Sequence, residues 1–172
     1  MKKLFLPLLV VANFAFAQNC DEVIKENNYL KTSLNMVSGK SIIVDNLKFT
    51  PVSIISYSKN NSSRVEILIT NVGKDVRDVV FNFNNNDILD MQGNSYKILN
   101  AKVGQIEQER VDQYSVLGYK LNVDIPTKII YTVEKIPENV QFIKAVQIGF
   151  LGGPQKYEHL VATLKDIKVS TE

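Results

Sequence analysis

The chain has 172 residues, with 20 Lys and Arg against 18 Asp and Glu, a single His, a single Cys and no Trp. That length is one domain's worth, and one His with one Cys rules out a multi-ligand zinc site and an internal disulfide. Lys2 and Lys3 sit in an N-terminal leader; without them 18 cations face 18 anions, and a neutral chain with interspersed signs has no electrostatic footprint for nucleic acid or an anionic membrane.

Residues 1–17 read as a secretory signal peptide. Lys2 and Lys3 open it, Leu4 to Phe16 is almost wholly apolar, and Ala15-Phe16-Ala17 supplies a signal peptidase's small residues. The apolar run falls short of the roughly 20 residues of a permanent span, and no later window reaches that length, so no transmembrane span is expected. The expectation is export to the periplasm or the exterior. Cys20 follows Ala17-Gln18-Asn19, which lacks both the small residue before a lipidated cysteine and the aliphatic one at minus three. Cleavage after Ala17 therefore fits better than lipid anchoring, and leaves Cys20 as a free thiol able to form an intermolecular disulfide. Residues 18–40 are expected to form a short helix and linker. Asp21 and Glu22 suit a helix N-terminus, and Val23, Leu30, Leu34 and Val37 make one apolar stripe before Ser38-Gly39-Lys40 stops it.

From Ser41 to the end the apolar period is two. Strands are expected over 52–57, 64–70, 79–83, 96–103, 116–123, 128–134, 146–150 and 157–169. Val65, Ile67 and Ile69 share one inner face, as do Val79, Phe81 and Phe83, then Ile129, Tyr131 and Val133, then Val146, Ile148 and Phe150. One-sided strands of this kind imply antiparallel sheets packed face to face. Turn chemistry separates them at Asn60 to Ser63, Asn71-Val72-Gly73-Lys74, Asp90 to Asn94, Pro137-Glu138-Asn139 and Gly152-Gly153-Pro154. Gly104 to Ser115 is polar and reads as a long loop, and Asn82 to Asp87 as an Asn-rich turn.

The stretches "ILITNVGKDV" at 67–76, "LDMQGNSY" at 89–96 and "YTVEKIPENVQFIKAVQIGF" at 131–150 resemble small exported Bacteroidota-like bacterial proteins, often lipoproteins, that form an immunoglobulin-like domain family of unknown function. The likeness rests on turn signatures carried by Asn71, Gly73, Asp90, Gly93, Tyr96 and Pro137 and covers about residues 60–150. It departs from the family at Cys20, where no intact lipobox stands. It implies an all-β, antiparallel immunoglobulin-like β-sandwich of seven to nine strands over 41–172, and no catalytic residues.

Chemistry is sparse. No Gly-x-Ser-x-Gly accompanies His159, which lies opposite Leu160, Ala162 and Leu164 on its strand and reads as a surface or half-buried strand residue. Asp87, Asp90, Glu107, Glu109 and Asp112 are the acids available for an acid pair or a calcium ion, with Asp87 and Asp90 the weak calcium candidates, but they sit among turn residues and are expected to be solvated. The EF-hand spacing is absent, and a backbone-bonding Asp90 followed by a positive-φ Gly93 accounts for the turn. Tyr114 and Tyr119 suit a core or edge, and Lys74, Asp75, Arg77 and Asp78 a solvated corner. The reading is a non-enzymatic exported module, without cofactor, that contacts envelope proteins through loops or a strand edge. Two alternatives stand beside it: a small-ligand or glycan binder or weak hydrolase using acids around 84–112, and a homodimer through Cys20 or the 21–36 helix. Intact mass of the exported protein is expected to match a chain beginning at Gln18; a mass carrying a diacylglyceryl group on Cys20 would reverse the reading of the leader.

Overall fold

The computed structural model describes residues 39–83, 86–109, 111, 115–152 and 158–172. The leader, Cys20, the 21–36 helix, Asp112, Tyr114, Gly153 and Pro154 lie outside the described residues. Eleven strands follow in order: β1 (Ile42–Val44), β2 (Leu47–Ser56), β3 (Ser62–Asn71), β4 (Arg77–Asn82), β5 (Ile88–Asp90), β6 (Ile98–Val103), β7 (Ile106–Gln108), β8 (Val116–Leu121), β9 (Thr127–Glu134), β10 (Phe142–Gly152) and β11 (Glu158–Thr171). The all-β expectation holds.

Strands run β7-β6-β9-β3-β2-β11-β10-β4-β8, with β1 added to β2 and β5 to β10. Two expectations need correction. There are eleven strands rather than seven to nine, because β1, β5 and β7 are three-residue strands too short to show a period. The 104–115 loop thus contains β7, hairpinned to β6 through Val103↔Ile106. The sheet is also mixed rather than antiparallel: β11 pairs β2 in parallel, Val169↔Ile54 to Thr171↔Ser56. The result is one nearly closed, barrel-like sheet, not a plain antiparallel sandwich.

Strand β2 makes that join possible by changing neighbours midway. Its first half pairs β1, Val44↔Leu47 to Ile42↔Phe49, and its last three residues pair β11. Between them the register with β3 shifts at Pro51–Ser53. A proline has no N–H to give a ladder, so a bulge is where it belongs. The β1–β2 hairpin turns on Asp45 and Asn46, both at positive φ (49° and 58°), the pattern of a two-residue type I′ turn.

All four expected inner rows are buried: Val65, Ile67, Ile69, Val79, Phe81, Ile129, Tyr131, Val133, Val146 and Ile148 show no exposure, and Phe83 and Phe150 almost none. They join one core with Leu47, Phe49, Ile54, Leu121 and Leu164. Phe49 meets Phe150 at 5.5 Å between ring centroids, across the two halves of the path, and Phe83 meets Tyr131 edge-on at 6.1 Å. The crossing from β9 to β10 is pinned by buried serines. Ser56 Oγ donates to the Ile136 carbonyl at 2.6 Å, and the Ile136 N–H donates to Ser63 Oγ at 2.8 Å.

Four buried side-chain atoms find no partner among the described residues: Ser53 Oγ, Arg64 Nε, Asn86 Nδ2 and the Tyr131 hydroxyl, the last being the deepest in the core. The Tyr131 hydroxyl is enclosed yet finds no hydrogen-bond partner among the described residues, and burial raises its pKa far above the ordinary phenol value. An unpaired buried hydroxyl carries its desolvation cost without return. Tyr131→Phe is therefore expected to leave stability unchanged or raise it by about 1 kcal/mol, read from urea unfolding; a loss of that size would show a water or other partner on the hydroxyl.

Candidate functional site

The residues singled out from the sequence do not converge. Asn71 ends β3 beside Gly73 and the β1–β2 turn at Asn46, whereas Asp90 pairs Ile143 near the start of β10. Each group does a separate job on the backbone.

Asn71 is buried and uses its whole amide. Its Nδ2 donates to the Asp75 carbonyl at 2.8 Å and to the Leu121 carbonyl at 3.3 Å, and its Oδ1 accepts the Gly73 N–H at 3.0 Å. Its carbonyl accepts the Asp124 N–H at 2.8 Å. A side chain at Gly73 would crowd Asn71 Oδ1, at 3.1 Å from an added Cβ. The Thr-Asn-x-Gly signature is thus a staple joining the β3–β4 turn to the end of β8.

Asp90 is not solvated as expected but fully buried, because four donors fill its carboxylate. Oδ1 accepts the N–H groups of Gln92 and Asn94, each at 2.9 Å; Oδ2 accepts Asn94 Nδ2 at 2.8 Å and the Tyr96 hydroxyl at 2.9 Å. Gly93 takes the turn at φ 86° with open space around it, so its need is conformational rather than steric. Burial pushes the Asp90 carboxyl up, and the hydrogen bonds from Asn94, Tyr96 and Gln92 outweigh it, holding the group below the ordinary carboxylate range. Tyr96 is pushed up to about 12 by burial and by the Asp90 carboxylate. With its roughly four lone-pair sites taken, Asp90 would have to surrender donors to hold a cation. Asp87 is exposed and spends its carbonyl on the Gln147 N–H at 2.8 Å. No cluster of three His, Cys, Asp or Glu side chains suited to a metal occurs among the described residues.

The remaining candidates are also placed. Pro137 is exposed and its carbonyl accepts the Val140 N–H at 2.9 Å, starting the turn into β10. His159 is exposed on the outer face of β11, with Nδ1 3.3 Å from Asn82 Nδ2. Glu107 accepts from Asn100 Nδ2 at 2.8 Å on the surface, and Glu109 belongs to the same surface stretch. Asn86, from the Asn-rich turn, accepts the Gly149 N–H on its Oδ1 at 2.5 Å, filling a gap in β10 between its pairings with β4 and β5.

One expectation changes. Arg77 is not part of a solvated corner: its half-buried guanidinium pairs with Asp45 from the β1–β2 turn. Gly152 leaves the space, since a Cβ there would strike the Arg77 guanidinium and lie 2.8 Å from Asp45 Oδ2. No local pattern announces a pair separated by 32 residues; the one available cue was Asp45-Asn46 between two apolar runs, a hairpin signal.

Two grooves remain. One, about 630 Å³, is lined by Gly39, Lys40, Ile42, Thr163, Lys165 and Asp166. The other, about 490 Å³, lies where the two ends of the strand path meet, lined by Asp78, Val80, Ile106, Gly118, Tyr119 and Lys120 among others. Neither includes an acid from 84–112. At the second, the sheet fails to close. Gly104, at φ 57° in the β6–β7 turn, lies against the Tyr119 ring so closely that no side chain would fit, yet no ladder joins β7 to β8.

Among the described residues the outer edge of β8 has no ladder partner from Val116 to Lys120, and Val123 just beyond it bridges Asn71 in parallel. Phe83 N–H donates to the Ser115 carbonyl at 3.2 Å, which continues the β4–β8 register of Asn82↔Val116 to Arg77↔Leu121. Because antiparallel pairs alternate between bonded and non-bonded, Leu117, Tyr119 and Leu121 face β4 with their backbone groups. Val116, Gly118 and Lys120 turn theirs outward. Among helices of the described residues none is long and apolar enough to cross a membrane. Compared with family models and with curated proteins, the sequence matches none.

Asp90→Asn should lower stability by about 1–3 kcal/mol, since it sets an NH₂ against existing donors. The sign with pH follows from the lowered carboxyl. Its stabilisation is complete above the ordinary carboxylate value near 3.9 and is lost as pH falls through the lower folded value, so Asp90→Asn should flatten the acid limb of a stability–pH curve. Tyr96 works oppositely: its contribution is complete below about 10 and is lost as pH rises through about 12.

Proposed function

We propose that this chain is an exported, immunoglobulin-like, non-catalytic module that binds other proteins in the bacterial envelope through an exposed strand edge, with β8 as that edge. Export rests on the leader and the junction at Ala17-Gln18. The immunoglobulin-like reading draws on the strand path. The order β2-β3-β9-β6 followed by β11-β10-β4 matches the A-B-E-D and G-F-C sheets of such domains, alongside the sequence likeness over 60–150.

The observation that carries the functional reading is where, among the described residues, backbone groups without a ladder partner lie. Asn71 and Asp90, the polar side chains with the strongest sequence signal, are spent on the backbone around them. The outward amides and carbonyls of Val116, Gly118 and Lys120 face the open side of β8, and exposed Val116 and Ile106 stand beside them. Exposed edges of this kind accept an extended segment, with main-chain hydrogen bonds for affinity and alternate side chains for selection. The alternative of a hydrolase or glycan site on acids around 84–112 predicts a carboxyl raised by burial in a cleft; Asp90 moves the other way.

The mature chain, immobilised and exposed to envelope extract of its host, is expected to retain one or more proteins reproducibly, and Gly118→Pro, which removes the central outward N–H, to reduce that retention at least about tenfold. Repeated capture of nothing, or capture indifferent to Gly118→Pro, would remove the edge as the binding surface.

A further inference from the structure

We infer that the groove between the start of β1 and the outer face of β11 binds a soluble phosphate monoester with a hydroxyl-bearing body, a sugar phosphate by class. The site shares no lining residue with the groove at β8 and goes beyond the edge-binding function proposed above. Its volume, about 630 Å³, falls within the range of small-molecule sites. Gly39, Lys40 and Ile42 line it from the β1 side, and Thr163, Lys165 and Asp166 from β11. The two sides are clamped at Gly39. A Cβ there would stand 2.9 Å from Pro51 Cγ and 3.3 Å from Ile167 Cγ1, so the chain entering β1 is pressed onto β2 and β11.

Charge selects the ligand. Without Lys2 and Lys3 the chain sets 18 cations against 18 anions, yet lysines gather at this groove. Lys165 pairs Ala145 and Lys168 pairs Phe142 across β10 and β11, which places Lys144 between them. All three are exposed, as is Lys40 on the opposite wall. Neither Lys40 nor Lys165 has an ion pair or side-chain hydrogen bond among the described residues. Two ammonium groups without a counter-ion match the charge of a phosphate monoester, about −1.5 to −2 at neutral pH, and its three acceptor oxygens. Lysine meets phosphate as a point charge, and the hydroxyl of half-buried Thr163 adds a donor on the same wall.

Asp166 orients the ester. It is the one acid on the groove's walls, and it stands in the left-handed region at φ 55°. An ionised carboxylate repels phosphate but accepts hydrogen bonds from hydroxyls. The phosphate therefore belongs at Lys40 and Lys165, and the hydroxyl-bearing part beside Asp166. Half-buried Ile42 supplies an apolar surface for the carbon skeleton between them. A concave site with a carboxylate on its wall suits a soluble ester rather than the plane of an anionic membrane.

Heteronuclear NMR of the chain from Gln18 onward, titrated with glucose 6-phosphate, ribose 5-phosphate and glycerol phosphate, tests the site. At least one ester should shift the amide signals of Lys40, Thr163 and Lys165 saturably, with a Kd of about 1 mM or tighter. Inorganic phosphate should shift the same signals with weaker affinity, and glucose alone should leave them unmoved. Lys40→Gln combined with Lys165→Gln should weaken the ester at least about tenfold; both side chains are exposed, and an unchanged thermal melt shows that the fold is kept. Asp166→Asn, a residue that tolerates the left-handed backbone, should weaken the ester while inorganic phosphate binds as well or better. No saturable shift with any of the three esters, or shifts that survive the double lysine exchange, overturns the site. Equal affinity for inorganic phosphate and the best ester overturns the hydroxyl-bearing body. Binding to phosphatidylglycerol vesicles in place of the soluble esters overturns the choice of source.

Discussion

The architecture depends on the parallel seam between β11 and the last three residues of β2. Every other ladder among the named strands is antiparallel and would by itself yield two sheets, one around β3 and β9, the other around β10 and β4, touching only through the single parallel bridge of Asn71 with Val123. The seam fuses them. Its reach is extended by backbone bonds at the chain end, where Glu172 N–H donates to the Ser56 carbonyl at 3.0 Å and Ser58 N–H to the Glu172 carbonyl at 2.7 Å. Strand β2 is free to accept β11 only because β1 stops at Ile42 opposite Phe49, and because Pro51 bends the strand at the point of handover. Sealing one side of a curved sheet this way leaves the opposite side, between β7 and β8, as the place where closure fails.

That failure has a side-chain cause. The Tyr119 ring occupies the space over Gly104, so the two end strands touch through a ring and a turn instead of through amides. The same Tyr119 keeps its own backbone groups committed to β4, which leaves the intervening residues of β8 with theirs directed out. An edge of β8 without a ladder partner among the described residues and a filled interior are thus two consequences of one packing arrangement.

The ends of the molecule are tied by buried polar groups of different kinds. At one end Asn71 and the Asp45–Arg77 pair hold three turns together; at the other, Asp90 with Tyr96 and the Ser56–Ser63–Ile136 relay hold the entries to β6 and β10. Half-buried ion pairs such as Asp45–Arg77 contribute modestly to stability and more to specifying which turns meet. The carboxylate of Asp90 is the stronger element, because each of its oxygens is bonded to fixed donors and it stays ionised despite burial.

What could be read in the sequence was whatever depends on near neighbours. Alternation placed Val65, Ile67, Ile69, Phe81, Tyr131 and Ile148 on buried faces because a strand's side chains change sides at every residue, whatever the partner. The Asp90–Gly93–Tyr96 turn was equally legible, since its bonds close within six residues. The tertiary structure alone decided which strands are adjacent, the parallel seam, the Asp45–Arg77 pair with its space at Gly152, and the unpaired side of β8. Each of these joins segments separated by tens of residues, and pairing between strands is set by the competition of whole faces for one core, which no local pattern encodes.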